Sequence, residues 1–536
     1  MSYKVFIPTA GLGSRLGTRT KHLNKALVSV GGKPAISHII EKFDESIRLV
    51  LALGHKGEQV REVLSILYPR RSFDFVDVDL FEGPGSGLGY SLSKCKAELQ
   101  CPFIFVSCDT IVGEQIPVPD YNWMGHSESR DTKQYRAVRV ENGLVTEICE
   151  KGAPGSVFPY IGLAGIYDFE SFWSGMESAS PHEMIAMGEA PGLRALVSKG
   201  VRAHLFTWFD TGGIEGLEAT ALAFRKKDDP IILEKEEESI WFLENEVAKF
   251  STDRDFISNR VKRAKILEGY CPQVIRSSRN VYVYQKAEGR VVSDVVTIPL
   301  FEDLLRFCGT FWKISSPLAD LEQDRFKVSC MEFYRDKTLK RLKLFFDRCH
   351  RTDLPQRINE IEVPSMNEIL SQVDWAQLSD GWAGNFHGDL HFENILYSQA
   401  QHRFWFLDWR QEFGGSLSIG DVYYDLAKLR HGLIINHDLI RQNLFSIEES
   451  DREVSFDFQR KEILTQCDAH FEEFIGKSGF NCNRVNQHTA LIFLNIAALH
   501  HHPYNLLLFH LGKLMLWESL NSRGPSEVTE KRMVSR

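Results

Sequence analysis

The sequence predicts an α/β domain with a Rossmann-like, mostly parallel sheet, followed by a two-lobed α+β domain. Three observations lead there. From the start to about Phe224, short apolar runs of strand length alternate with helix-length amphipathic runs. A charge-dense segment around a proline, Arg225 to Glu238, then interrupts the pattern. Beyond it a few β-like runs give way to long amphipathic segments from Leu300 onward. With 536 residues the chain exceeds what one core usually organises, and 43% hydrophobic with 25% charged residues is a globular composition. The expected division is 1–225, a linker at 226–239, a second domain at 240–520 and a tail at 521–536.

In the first part, Lys4–Pro8, Arg48–Leu53, Phe73–Val78 and Phe103–Ser107 read as strands. Ala35–Phe43, Gly57–Leu67 and Gly87–Ala97 read as the helices between them, the rhythm of βαβ units. Arg136–Val140 and Val145–Glu150 flank Asn142-Gly143 and read as a hairpin, since this dipeptide suits a tight turn with positive φ. Gly162–Tyr167 and Ala203–Thr207 complete the strand set. In the second part Ile240–Phe250 and Val281–Gln285 are strand-like, Phe256–Leu267 is helical, and strands return at Ile395–Tyr397 and Phe404–Leu407. No internal repeat or low-complexity tract is visible.

Lysine and arginine number 63 against 72 aspartate and glutamate, a net charge of −9. No global basic field draws in nucleic acid or an anionic membrane, which directs attention to small-molecule chemistry. Ten cysteines are scattered without a C-x-x-C pair, so neither a zinc knuckle nor a disulfide framework is expected, and a cytoplasmic location fits. The N-terminus has no charged region followed by a long apolar one, and no run of 18 apolar residues occurs. The expectation is a soluble, untargeted chain without membrane insertion, for which a homo-oligomer stays open.

The first strand runs into Ala10-Gly11-Leu12-Gly13-Ser14-Arg15, where glycines allow backbone N–H groups to approach phosphate oxygens and Arg15 can grip one bidentately. Asn24-Lys25-Ala26-Leu27 and Gly31-Gly32-Lys33-Pro34 follow. Together these motifs resemble the G-x-G-x-R-[LM] … P-K-x-[LM] … G-K-P signature of bacterial sugar-1-phosphate nucleotidylyltransferases and phosphocholine cytidylyltransferases, with Asn24 where proline is common. The resemblance covers roughly residues 3 to 224. It implies that Ala10, Gly11 and Gly13 cradle the nucleotide, that Arg15 and Lys25 neutralise the two phosphates, and that a loop including Gly85, Ser86 and Gly87 reads the base. It further implies Mg²⁺ held by Asp109, after the strand ending Val106-Ser107-Cys108, and by Asp210 in Trp208-Phe209-Asp210-Thr211-Gly212. Glu150-Lys151-Gly152 is similar to the family's E-K-P acceptor motif, with glycine in place of proline. The attacking phosphomonoester is already anionic, so positioning and charge neutralisation suffice, and the absence of a His or Cys nucleophile follows.

The sharpest motif is His387-Gly388-Asp389-Leu390-His391-Phe392-Glu393-Asn394, with Asp408 in Phe406-Leu407-Asp408-Trp409. It resembles the H-G-D-x-x-x-x-N … D signature of aminoglycoside phosphotransferases and choline kinases, relatives of protein kinases. That implies Asp389 accepting or orienting the proton of an attacking hydroxyl, and Asn394 and Asp408 holding Mg²⁺ on ATP. Lys249 in Glu246–Phe250 is similar to the phosphate-gripping lysine, Glu288 after Val281–Gln285 lies where the family's hinge meets adenine, and Glu268 is the partner expected for Lys249. Gly420-Asp421 through Asp425-Leu426-Ala427 matches the family's G-D-P-x-x-D-L-A except for Val422, and its aspartates read as structural. His500-His501-His502 reads as a helix end or pocket wall, since adjacent helical residues diverge and cannot chelate jointly.

The expected function is therefore bifunctional: ATP phosphorylates a small alcohol or sugar, and a nucleotidyl group, from CTP first of all, is transferred to the phosphomonoester. Choline or ethanolamine is the first acceptor expected, and a sugar 1-kinase fused to a sugar-1-phosphate nucleotidylyltransferase is the alternative. A non-catalytic nucleotide sensor or scaffold is the contrasting class. Tyr160, Trp208 and Trp409 lie near the candidate pockets, although aromatic residues at such positions are more often core.

Overall fold

A computed structural model describes residues 3–129, 133–155, 157–225, 236–313, 319–450 and 452–521. Most of the expected linker, 226–235, and all but the first residue of the expected tail lie outside these. By packing, the chain forms two compact units, residues 1–257 with 274–286, and 258–273 with 287–536.

The first unit is built on a nine-stranded sheet. Its strands are β1 (Lys4–Pro8), β2 (Arg48–Leu53), β3 (Phe73–Asp77), β4 (Phe103–Val106), β6 (Trp123–His126), β7 (Ala137–Glu141), β8 (Leu144–Cys149), β9 (Phe158–Ile166) and β10 (Arg202–Leu205). A separate two-stranded ladder joins β5 (Thr110–Val112) to β11 (Trp208–Asp210). The order in the large sheet is β3-β2-β1-β4-β9-β6-β10-β8-β7. Strands β3, β2, β1 and β4 are mutually parallel, which the helical crossovers between them require. On the other side of β4 the pairings are antiparallel except that of β6 with β10. The sheet is thus mixed rather than mostly parallel, because β7 and β8 form a hairpin and β9 lies antiparallel between β4 and β6. The β7–β8 hairpin turns on Asn142 and Gly143, both at positive φ.

Val5, Ile7, Leu49 and Leu51 face a layer formed by α1 (Ala35–Ile40) and α2 (Gly57–Leu67), while Phe6, Val50 and Phe105 face the opposite side, the alternation of a sheet covered on both faces. A further sheet of four antiparallel strands, Glu238–Phe242, Glu246–Ser251, Val281–Gln285 and Val274–Ser277, also packs in this unit, with Trp241, Ala248 and Val283 in one core with Val60 and Leu64 of α2. The stretch Ile240–Phe250 is therefore two strands and a turn.

The second unit is mainly helical. Its core gathers Phe333 and Phe345, Tyr424, Ala427 and Ile434 of the helix Val422–Ile434, and the long antiparallel pair Cys482–Ala497 and Tyr504–Asn521. A three-stranded sheet joins Arg290–Val291, Ile395–Ser398 and Arg403–Phe406, and a four-stranded one includes Glu453–Phe458 and Phe445–Glu449. His500, His501 and His502 lie in the connection between the end of Cys482–Ala497 and the start of Tyr504–Asn521, outside both helices.

Candidate functional sites

In the first unit the chain end of β4 and the start of the β5–β11 ladder define one point. Asp210 pairs in register with Thr110, and Thr211 N–H donates to Asp109 O at 2.9 Å, so the two aspartates emerge side by side. A Cβ placed on Gly212 would lie 3.0 Å from Asp109 Oδ2, 3.0 Å from Asp210 Oδ1 and 2.8 Å from Arg15 Nη2. Lys25 Nζ and Arg15 Nη2 each sit 3.7 Å from Asp109 Oδ2. Four of the residues singled out in the sequence thus converge.

Each is held by neighbours. Ser107 Oγ donates to Asp109 Oδ1 at 2.5 Å, Tyr135 Oη donates to Asp210 Oδ2 at 2.6 Å, and Gly212 N–H donates to Asp210 Oδ1 at 2.8 Å. Burial pushes the Asp109 carboxyl up, but Lys25, Ser107 and Arg15 outweigh it and hold it below the usual range. Burial works against the Lys25 ammonium, and its contact with Cys108 together with the charge of Asp109 raises it above the usual lysine value. Lys25 is fixed from below by Asn24, which is fully buried. Its Oδ1 accepts from Ala26 N–H at 2.9 Å, and its Nδ2 donates to Thr9 O and His55 O. Asparagine caps the turn Lys25–Leu27 and staples it to the end of β1, tasks proline could not perform.

The loop of Gly85, Ser86 and Gly87 leads into the helix α3 (Leu88–Lys94), with Ser86 Oγ donating to Gly83 O. Glu150 and Lys151 are exposed at the end of β8, and the Glu150 carboxylate is shared by Arg136 and Arg194. A buried carboxyl unnoticed in the sequence, Glu189, is raised by burial and by the charge of Asp109, with Arg136 opposing. Tyr160 is core, and Trp208 packs edge-on against Tyr135.

In the second unit the hairpin of Ile395–Ser398 and Arg403–Phe406 brings three motif residues to its base. Ile395 faces Phe406 in register, and Leu407 N–H donates to Asn394 O at 2.8 Å, so Asp408 emerges beside Asn394. Asn394 Nδ2 donates to Asp389 O at 2.9 Å and to Asp389 Oδ2 at 3.3 Å. Asp408 is at φ +52° and is engaged by Arg260 Nη1. Trp409 is core, its indole N–H donating to Arg260 O.

Asp389 Oδ1 accepts from Lys428 Nζ at 2.8 Å, and His391 Nε2 lies 3.7 Å from its Oδ2. Burial raises the Asp389 carboxyl, yet Lys428 and His391 hold it well below the carboxylate range. His391, opposed by burial, is raised to about 9 by Asp389 and Glu393, so it is an imidazolium at neutral pH. Lys428 was not found in the sequence. It stands one turn beyond Asp425, and that spacing was its one available signal.

The loop before Asp389 rests on a fully buried carboxyl. Asp425 accepts from His387 N–H and Gly388 N–H, both at 2.7 Å, and from Trp312 Nε1 at 3.1 Å, and burial pushes it up to about 6. Gly388 sits at φ +86°, and a Cβ there would lie 2.6 Å from Arg410 Cβ, so only glycine fits. Asp425→Ala strands three buried donors and is expected to destabilise the protein by about 3 kcal/mol or more, measured by chemical denaturation. A change below about 1 kcal/mol would contradict this role.

Lys249 belongs to the first unit, where its buried Nζ lies 3.6 Å from Glu238 Oε2 across the β-ladder. The expected partner, Glu268, is exposed in the second unit. Glu288 is exposed just after the strand Val281–Gln285.

Both sites suit a hard divalent cation by their oxygen donors, the Asp109 and Asp210 carboxylates in one and the Asp408 carboxylate with the Asn394 amide oxygen in the other. Among the described residues no group of three or more His, Cys, Asp or Glu could hold a metal, so an ion at either site would draw its remaining ligands from substrate phosphate and water.

Part of the chain is similar to known proteins. The "Bifunctional protein GlmU" of Methanococcus maripaludis strain S2 is 22% identical over 196 residues, 36% of this chain and 46% of that protein, and its counterpart in strain C5 is 24% identical over the same share. The chain thus spans just under half the length of these curated relatives. A CTP:phosphocholine cytidylyltransferase structure from Streptococcus pneumoniae is 18% identical, with a TM-score of 0.35 over 42% of this chain and 100% of that one. A UDP-glucose pyrophosphorylase structure from Acinetobacter baumanii is 18% identical, with a TM-score of 0.34 over 42% and 93%. Residues 5–115, which carry β1 through β5 with Arg15, Lys25 and Asp109, match the family model of the MobA-like NTP transferase domain.

Proposed function

We propose that the chain is a bifunctional enzyme in which residues 1–225 transfer a nucleotidyl group and residues 240–520 phosphorylate a hydroxyl compound, with 226–239 as linker and 521–536 as tail. The observation that carries the first activity is the convergence of Asp109, Asp210 and Arg15 on Gly212, with Lys25 on the same Asp109 oxygen. In this reading Ala10, Gly11 and Gly13 receive the triphosphate, Gly85, Ser86 and Gly87 the base, and Glu150 and Lys151 the acceptor side. Asp109 and Asp210 would hold Mg²⁺, which as a Lewis acid neutralises charge on the α-phosphate. Arg15 and Lys25 draw the anionic acceptor and the triphosphate together. The acceptor oxygen bonds to the α-phosphorus, the bond from that phosphorus to the bridging oxygen breaks, and pyrophosphate leaves with the electron pair. No proton need be removed from a phosphomonoester dianion.

The second activity rests on Asp389. Its depressed basicity suits a carboxylate that orients a hydroxyl by accepting its hydrogen bond and takes the proton late, as the bond to the γ-phosphorus forms and ADP departs. Asn394 and Asp408 would hold Mg²⁺ there, and Lys249 and Glu288 are the candidates for contacts to ATP. The product of this step is the phosphomonoester that the first step consumes, and CTP is the first triphosphate to test. A cytoplasmic location goes with this reading, and among the described residues no helix is long and apolar enough to cross a membrane.

The test is a mass-spectrometric screen of the purified protein with ATP, Mg²⁺ and each NTP against a panel of alcohols, sugars and phosphomonoesters. Phosphorylated and nucleotidylated products are both expected, with pyrophosphate. Neither product from any combination, in a folded protein, would favour a sensor or scaffold instead.

A further inference from the structure

The second unit carries a cavity of about 590 Å³ lined by Glu332, Asp336, Lys337, Lys340, Arg341 and Leu344. The helix Lys337–Cys349 places Lys337, Lys340 and Arg341 on one face, at i, i+3 and i+4, a like-charge arrangement that is unfavourable unless an anion relieves it. Of the two acids in the lining, Asp336 is engaged by Arg335 at 2.9 Å.

The cations continue from this groove to the proposed reacting carboxylate. Lys337 Nζ lies 4.0 Å from the Phe333 ring centroid and 5.7 Å from that of Tyr424. Arg410 Cζ lies 4.8 Å from the same Phe333 centroid, and Arg410 N–H donates to His387 O, two residues before Asp389. Lys428, one turn after Tyr424, reaches Asp389 itself at 2.8 Å. The surroundings are cation-rich enough that burial, with Arg410, Lys428 and Arg341, holds the Lys337 ammonium well below the usual lysine range. A quaternary ammonium needs open aromatic faces, and here Phe333 and Tyr424 are already covered by Lys337 and Arg410.

We infer that the acceptor phosphorylated at Asp389 carries an oxyanion, a carboxylate or a phosphate, besides its reacting hydroxyl, and that Lys337, Lys340 and Arg341 receive that anion. This rests on the kinase reading of Asp389 and replaces choline or ethanolamine as the first acceptor to consider. The reaction balances as before: the acceptor oxygen gains the γ-phosphoryl group, ADP leaves, and the hydroxyl proton passes to Asp389 and then to water.

The experiment uses the full chain with ATP and Mg²⁺ and acceptors matched in skeleton: glycerate and glycerol 3-phosphate against glycerol, gluconate against glucitol, and choline and ethanolamine as cations. The anionic member of each turned-over pair should have a kcat/KM at least about tenfold higher. Lys340→Gln and Arg341→Gln should each raise KM for that acceptor about tenfold while leaving KM for ATP within about twofold. Glycerate and glycerol 3-phosphate together distinguish a carboxylate from a phosphate as the recognised group. Preference for a neutral or cationic acceptor would overturn this assignment and leave the kinase reading standing. If nothing is phosphorylated, calorimetry decides. Binding of an anionic member that Arg341→Gln abolishes supports the anion site, whereas no binding of any anion overturns it. Failure of ATP itself to bind would overturn the kinase reading and the assignment together.

Discussion

Asp389→Asn should lower phosphorylation of any hydroxyl acceptor by about 10²- to 10⁴-fold, the range lost with a positioned general base. Nucleotidyl transfer onto a supplied phosphomonoester should continue at the wild-type rate. The substitution keeps the shape and one oxygen acceptor but removes the charge that Lys428 and His391 face. His391 reports on this independently, because Asp389 and Glu393 together raise it to about 9 against burial. In the variant its titration, followed by NMR, should move down in pH. The nucleotidyl step should be spared because Arg15, Lys25, Asp109 and Asp210 lie in the other compact unit. Equal loss of both activities with an unchanged circular dichroism spectrum would refute the two-site reading.

The parallel half of the first sheet was legible because its strands are short runs separated from one another by helix-length amphipathic runs. Lys4–Pro8, Arg48–Leu53 and Gly57–Leu67 are read to the residue. The antiparallel half was less so. Strand β6, Trp123–His126, and the pairing of β10 with it depend on long-range partners that leave no local period. Asp109 and Asp210 stood out because one closely follows a strand and the other ends one, each within a motif, but Tyr135 and Ser107, which hold them, carry no such mark. Glu238 was hidden in an acidic run that reads as a solvated connection, whereas the fold makes it the start of a strand that lays it beside Lys249. Glu150 was visible as a motif residue, yet its engagement by Arg136 and Arg194 depends on two elements distant in sequence.

Asp109→Ala should slow pyrophosphate release by about 10²-fold or more, the scale of losing one preorganised charge-stabilising group. The geometry also dictates how the loss divides. In the free protein the Asp109 carboxylate faces two cations, Arg15 and Lys25, each at 3.7 Å from the same oxygen. Deleting it takes a negative charge away from the place where triphosphate and phosphomonoester must meet, so ground-state binding of anions should not weaken. The loss therefore falls on kcat, with KM for the triphosphate unchanged or lower, the pattern of an interaction made mainly in the transition state. Asp210→Ala should show a similar fall in kcat, and it also leaves the Tyr135 hydroxyl and Gly212 N–H without their acceptor. Ser107→Ala removes only one hydrogen bond to Asp109 and should cost about tenfold or less. Binding of Mn²⁺, followed by electron paramagnetic resonance, gives a readout separate from turnover: it should weaken in both aspartate variants and persist in Ser107→Ala. Rates within about threefold of wild type in either aspartate variant, or a raised KM with unchanged kcat, would place the charge-stabilising centre of the transfer away from Gly212.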